Sequence, residues 1–331
     1  MRPAKNPTIL LALVIVIWGL NYVAGRCLSS PVLFGYVHIT GVLFGFLRYL
    51  AGALFMAALL LAQRRRPSAV LAHLRPYRKP LALSVLASSV FVLAAHQSQA
   101  YISSGTTSII INLCPILVLV YGVWSGREEL SPRKAAGFAL GALGGLLFLA
   151  RSLQAGPSAG SELGLLLALA AMLAWAAYTV TVHSLAGADR VAVLAVQHAV
   201  STLLIAPFVG ICLLRAPLTF VPDAWSLLGV LFAGAVSSGL AYIFYFQAIA
   251  AIGPSRAAAF LFLVPLVSLL GDLMLGELPH AMALLGGLLA LAGIALIKSE
   301  DGPKIIGIEA MTALAQARPR RQPEPRIEDT P

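Results

Sequence analysis

Ten apolar stretches, each long enough to cross a bilayer, occupy the chain from about residue 8 to about residue 298. They leave no room for a water-soluble domain of ordinary size. The charged fraction agrees: 11% of the 331 residues are Asp, Glu, Lys or Arg, against roughly 25% in soluble globular chains. The expected spans are 8 to 28, 40 to 62, 80 to 101, 105 to 125, 132 to 150, 162 to 183, 190 to 214, 225 to 249, 254 to 275 and 279 to 298. They are apolar on every face, which selects helices; a membrane β-barrel needs alternating segments of about ten residues. The expectation is one all-α membrane bundle.

The formal net charge of +10 is arranged in a way that excludes nucleic acid as a partner. Arg64, Arg65, Arg66, Arg75, Arg78 and Lys79 fall in the second loop and Arg127, Arg133 and Lys134 in or beside the fourth, while the opposite loops hold little beyond Arg26, Arg151 and Arg215. The positive-inside rule therefore places both termini in the cytoplasm of a multi-pass protein, the bacterial inner membrane being the expected location. Arg2 and Lys5 before an apolar run imitate a signal peptide, but the run is too long, carries Trp18 and Asn21, and meets no small-residue cleavage site. It is expected to be retained as the first span. The end of the chain, rich in Arg and Pro from Ala317 to Pro331, reads as solvated and disordered.

The two halves resemble each other. Trp18, Asn21 and Tyr22 in the first span have counterparts in Trp175 and Tyr178 in the sixth. Gly105-Thr106-Thr107 leads to Pro115 and Glu128, just as Gly253-Pro254-Ser255 leads to Pro265 and Glu277. Five spans per half is an odd number, so the second half must enter the membrane with opposite polarity. The expected organisation is a five-helix repeat over 1–150, an inverted repeat over 151–298 and a cytoplasmic tail over 299–331.

The early I-W-G-L-N-Y at Ile17 to Tyr22, the F-L-R-Y at Phe46 to Tyr49 and the paired proline-then-glutamate helices resemble the EamA-type family of the drug/metabolite transporter superfamily. That resemblance covers about residues 8 to 298. It implies a ten-helix transporter of small metabolites, with export of amino-acid-like compounds favoured. The chain departs from the pattern in doubling Glu128 with Glu129 and in carrying Ala176 where the first copy has Gly19.

Polar residues inside the spans are the candidates for chemistry. Arg48 lies well inside span two, where a charged side chain costs about 2.5 to 3.5 kcal/mol on insertion scales. It either meets an anion such as a substrate carboxylate or holds carbonyls of a neighbouring helix. Trp18, Asn21 and Tyr22 share one helix face and suit a polar cavity with an aromatic wall, as do Trp175 and Tyr178; an interfacial aromatic belt is the other account. His96, Gln97 and Gln99 in span three, Asn112 in span four and Gln197 and His198 in span seven line a wet pathway or bond between helices. Pro115 and Pro265 kink their helices, leaving the carbonyls of Ile111 and Leu261 short of a donor, which is tolerable only beside protein or water. Gly137, Gly141 and Gly145 form a small-residue ridge that serves either internal packing or a homodimer.

Other classes find little support. Cys27, Cys114 and Cys212 lack metal-ligand spacing, and no cofactor or metal is expected. Gly156 to Gly160 spells G-x-S-x-G without the strand-to-helix setting of a nucleophile elbow, and Ser131-Pro132-Arg133-Lys134 reads as the N-cap and first turn of span five. No phosphate-cradling loop suggests ATP-driven transport. The expected function is secondary transport by alternating access, not enzymatic. A lipid-modifying enzyme and a non-transporting sensor or assembly subunit are the rivals, the former needing a catalytic cluster that the scattered His73, His96 and His183 do not form.

Overall fold

A computed structural model describes residues 6–29, 34–98, 101–102, 104–153, 161–215, 217–274 and 281–298. Helices account for nearly all of them: α1 (Pro7–Ser29), α2 (Gly41–Ala62), α3 (Pro67–Leu74), α4 (Arg78–Ser98), α5 (Ser104–Ile111), α6 (Cys114–Trp124), α7 (Pro132–Leu153), α8 (Ser161–His183), α9 (Arg190–Arg215), α10 (Ala224–Leu231), α11 (Ala241–Ile252), α12 (Pro254–Ala259), α13 (Val264–Met274) and α14 (Ala281–Lys298). A 3₁₀ turn at Arg75–Tyr77 joins α3 to α4, a π-helical stretch at Phe232–Leu240 joins α10 to α11, and a second 3₁₀ turn at Phe260–Leu263 joins α12 to α13. Seven helical runs among the described residues are long and apolar enough to cross a membrane: α1, α2, α3 through α4, 107–124, α8, α9 and α10 through α11. The chain is thus an all-helical, multi-pass membrane protein.

Short polar signals set the helix ends. Ser131 accepts the Lys134 amide at 3.1 Å with Pro132 next in line, so α7 starts where capping chemistry places it. Asp189 does the same for α9 through the Ala192 amide, and Asp223 for α10 through the Ser226 amide, both at 2.8 Å. At the other end of α6, Gly126 takes φ +66° and the amides of Gly126 and Arg127 return to Val123 and Gly122. This is a Schellman closure, in which a left-handed residue suits glycine. The end of α2 closes identically, Arg64 and Arg65 returning to Leu61 and Leu60, but with Arg64 at φ +55°.

Three details depart from the sequence reading. A short helix, α3, precedes the third span where a loop was expected, because Pro67 opens it and Val70 and Leu74, one turn apart, are buried. The fourth span is broken into α5 and α6 rather than bent, with 3₁₀-type bonds from Leu113 to Ile110 and from Ile116 to Leu113 bridging the gap. At the second proline the carbonyl of Leu261 is not left without a donor. The backbone tightens to 3₁₀ geometry and the Val264 amide donates to it.

Helix packing relates the halves. The dominant partners are α7 with α14, α4 with α8, α2 with α9 and the π stretch, and α1 with α11 and α13. Substituting α8 for α1, α9 for α2, α10–α11 for α4, α12–α13 for α5–α6 and α14 for α7, and the reverse, carries these pairings onto one another or onto further observed ones: α4 on α8 becomes α11 on α1, α6 on α8 becomes α13 on α1, and the π stretch on α2 becomes α4 on α9. Each half buries its apolar faces on the other. Fittingly, Gly137 faces Gly293 and Ile297 of α14, Gly141 faces Phe262 and Gly145 faces Leu113. The glycine ridge offered by the sequence to a second copy is therefore occupied within the chain, where a Cβ at position 137 would stand 2.7 Å from the Gly293 carbonyl.

Candidate functional site

Where the broken helices approach α1, α2 and α8, the bundle encloses a small cavity. Trp18, Asn21 and Tyr22 of α1 line it with Arg48 of α2, Phe91 of α4, Ile111 and Asn112 at the α5–α6 break, Trp175 of α8, Tyr242 of α11, and Leu261 and Val264 around the second break. Helical spacing explains the first three: at i, i+3 and i+4 they share a face, and that face points at the partner half. The cavity holds about 30 Å³, room for a water or two and far below the few hundred Å³ of a ligand pocket. The structure is closed at this point.

Its wall is an aromatic cluster contributed by both halves. The Trp18 and Trp175 rings meet edge to face at 5.2 Å, and each also packs on Tyr242 and Tyr245, at 5.6 and 5.1 Å from Trp18 and 5.7 and 5.9 Å from Trp175. Tyr178 stacks on Trp175 at 5.0 Å, and Phe91 closes over it at 4.6 Å. Such pairs lock ring orientation and contribute roughly 0.5 to 1.5 kcal/mol apiece beyond burial. Trp18 is fixed further by donating its indole N–H to the Ser237 carbonyl at 3.1 Å.

Among the described residues of the lining Arg48 is the one that is charged, and it is 6% exposed. Its Nε donates to Ser238 Oγ at 2.6 Å, and no ion pair among the described residues involves it. Ser237 and Ser238 sit in the π-helical stretch, whose wider turn changes which side chains face α2; π segments commonly mark functional positions. Asn21 Oδ1 is buried without a hydrogen-bond partner, while Asn112 donates from Nδ2 to the Ser108 carbonyl one turn back at 2.7 Å.

His96, Gln97, Gln197 and His198 do not line this cavity. His96 packs edge to face on Phe44 and against Gly45 of α2, and Gln97 adjoins it on α4. His198 donates from Nδ1 to the Leu194 carbonyl in its own helix at 2.8 Å and rests on Tyr49 and Tyr242, so neither a bond between helices nor a place in the cavity wall describes it. Gln197 is fully buried beside it. Gln99, Glu277, the loop at 156–160 and the tail at 299–331 lie outside the described residues. Pro115 and Pro265 each follow a break whose preceding turn supplies cavity-lining residues. Sequence reading missed Phe91, Ser237, Ser238, Tyr242 and Tyr245. The two tyrosines at i and i+3, deep in an apolar run behind a Ser-Ser-Gly, were the available signal.

A closed cavity with an arginine and two amides set in an aromatic wall, at the junction of two packed halves of a multi-pass helical membrane protein, defines a transporter-like class. Comparison with known proteins makes this specific: the chain belongs to the EamA-like transporter family, whose model matches twice, over residues 6–150 and 162–299. It is 35% identical to an uncharacterized protein of Pseudomonas aeruginosa over 78% of this chain and 84% of that one. An uncharacterized transporter of Archaeoglobus fulgidus is 27% identical over 87% of this chain and 97% of its own length. A probable amino-acid metabolite efflux pump of Salmonella typhimurium is 27% identical over 88% and 94%. One solved crystal structure superposes with a TM-score of 0.70 at 18% identity, covering 89% of this chain and 98% of the other, which shows a shared fold.

Proposed function

We propose that this protein is a secondary transporter that moves a small carboxylate-bearing metabolite, an amino-acid-like compound before others, by alternating access through the cavity around Arg48. Arg48 carries the reading. A guanidinium has five N–H donors, and here it lines a cavity in whose wall no carboxylate stands among the described residues. An anionic group entering between Arg48 and the aromatic wall supplies the charge partner and a bidentate acceptor. The aromatic faces and Asn21 suit the remainder of an amphipathic solute. The name of the Salmonella relative supports the amino-acid class and the export direction.

We read the bundle as ten spans in two inverted five-helix repeats, with α7, α12–α13 and α14 completing the seven longer runs and both termini in the cytoplasm. The self-mapping of the helix pairings supports this. So do the loops: the connection before α2 meets the one before α10 through His38 and Asp223, whereas the connection after α2 meets the one before α9 through Arg65 and Asp189. In an alternating ten-span path the first pair of loops lies outside and the second inside. The repeats follow as residues 1–150 and 151–298, ahead of a cytoplasmic tail at 299–331. On this reading the transporter resides in the bacterial inner membrane, an assignment that the basic loops support through the positive-inside rule.

The test is solute flux in proteoliposomes: radiolabelled amino acids and neutral analogues are offered with and without a pH gradient. Compartment-dependent, saturable flux of a carboxylate solute supports the proposal. Turnover of a lipid in detergent, with no flux, replaces it by the enzyme reading.

A further inference from the structure

A second recess, of about 650 Å³, shares no lining residue with the central cavity. It is a groove between two aliphatic stripes. Val85 and Leu86 of α4 form one side, and Val200 and Leu204, one turn apart on α9, form the other. Leu71 of α3 lines it as well. Leu71, Leu86, Val200 and Leu204 are exposed although apolar, as befits a surface turned to hydrocarbon. The groove is polar only at the end next to α3, where Arg75 and Arg78 line it. Both are exposed, and among the described residues neither joins an ion pair and no acid lines the groove.

We propose that this groove binds an anionic phospholipid, one acyl chain lying between α4 and α9 and the phosphate meeting Arg75 and Arg78. The register fits. Arg78 opens α4 and Leu86 lies eight residues on, about 12 Å along the helix, so a head group at the arginines continues into a chain along the stripe. Two guanidinium groups at the start of a span sit at head-group depth, where a phosphate accepts from both. A second copy of the chain suits the groove poorly. A two-fold axis along the membrane normal would bring the arginines of both copies to the same depth, like charge against like.

Native mass spectrometry of the full chain in mild detergent tests this, with phosphatidylglycerol or phosphatidylcholine added at equal concentration. The wild type retains phosphatidylglycerol preferentially. Arg75→Gln with Arg78→Gln lowers that retention about 30-fold, the effect of two basic groups at an anionic surface, to the level of phosphatidylcholine. Val200→Trp, which fills the groove and leaves both arginines, lowers retention of either lipid, with an unchanged melting temperature as the folding control. Equal retention of the two lipids by the wild type overturns the proposal, as does full phosphatidylglycerol retention by the double variant. A dimer mass abolished by Val200→Trp while lipid retention persists would give the groove to a second copy instead.

Discussion

Arg65 Nη1 stands 2.7 Å from Asp189 Oδ2, tying the end of α2 to the start of α9. His73 reinforces the tie, its Nε2 accepting the Asp189 amide at 3.2 Å. Exchanging the two halves carries this pair onto His38 and Asp223, which lie 3.0 Å apart between the start of α2 and the connection after α9. Backbone bonds from Thr40 to Thr219 and from Val221 to His38 accompany that second tie. Each end of the α2–α9 pair is thus latched, and the cavity between the latches is closed.

A latch that opens during transport should be weak. The Arg65 and Asp189 side chains are 38% and 28% exposed, so solvent screening limits their pair to about 1 kcal/mol or less. Asp189→Asn keeps the capping oxygen and loses the charge. In a cysteine-free background, a cysteine substituted for the buried Ala188 should then react up to about fivefold faster with a membrane-impermeant maleimide. Unchanged reactivity would show that the pair does not hold this end shut.

The second latch has a pH signature. The Asp223 carboxylate is held below its ordinary value of 3.8, first by the Ser226 amide and with a smaller contribution from His38. A depressed carboxylate stabilises the fold above its unfolded value and loses that contribution as pH falls through the folded one. In a His38→Gln background, which leaves the Ser226 amide as the main cause, the melting-temperature gap between Asp223 and Asp223→Asn should stay level from pH 7 to 5 and shrink below pH 3.8. A gap that narrows already between pH 7 and 5 contradicts the assignment.

The contrast between Arg64 and Gly126 makes a stability prediction. Both occupy the left-handed position of the same helix closure, where a side chain costs roughly 1 to 2 kcal/mol. Arg64→Gly should raise the melting temperature in detergent by the equivalent of about 1 kcal/mol, and Gly126→Ala should lower it by a similar amount. Loss of stability in Arg64→Gly would mean that the Arg64 side chain makes a compensating interaction.

What the sequence made legible follows from contrast. Arg48, Trp18 and Asn21 stand out because polar or bulky groups in a twenty-residue apolar run need a reason to be there, and all three line the cavity. Phe91 does not stand out, since a phenyl ring is at home facing lipid, and Tyr242 and Tyr245 were marked only by their i, i+3 spacing behind Ser237 and Ser238. Ser237 and Ser238 face α1 and α2 because of a π-helical turn that no residue pattern announced. His198 shows the opposite limit. Its depth was evident, but a helical period cannot tell which neighbour a face meets, and the ring satisfied its donor within its own helix. The helix break around Asn112 was foreshadowed by Pro115, whereas the 3₁₀ turn that satisfies the Leu261 carbonyl before Pro265 was not.

Arg48 offers the most direct test of the central claim. The uptake of a carboxylate-bearing solute and of its neutral amide analogue should be compared in proteoliposomes of wild type, Arg48→Ala and Arg48→Lys. A charge-assisted bond contributes about 1.5 to 3 kcal/mol, so Arg48→Ala should lower carboxylate transport roughly 10- to 100-fold while the amide changes little. Arg48→Lys should recover part of the loss, because it restores the charge without the planar fork. Equal decline of both solutes in a protein that remains monodisperse and thermally stable would contradict the carboxylate assignment and make Arg48 a brace for the Ser238 turn instead.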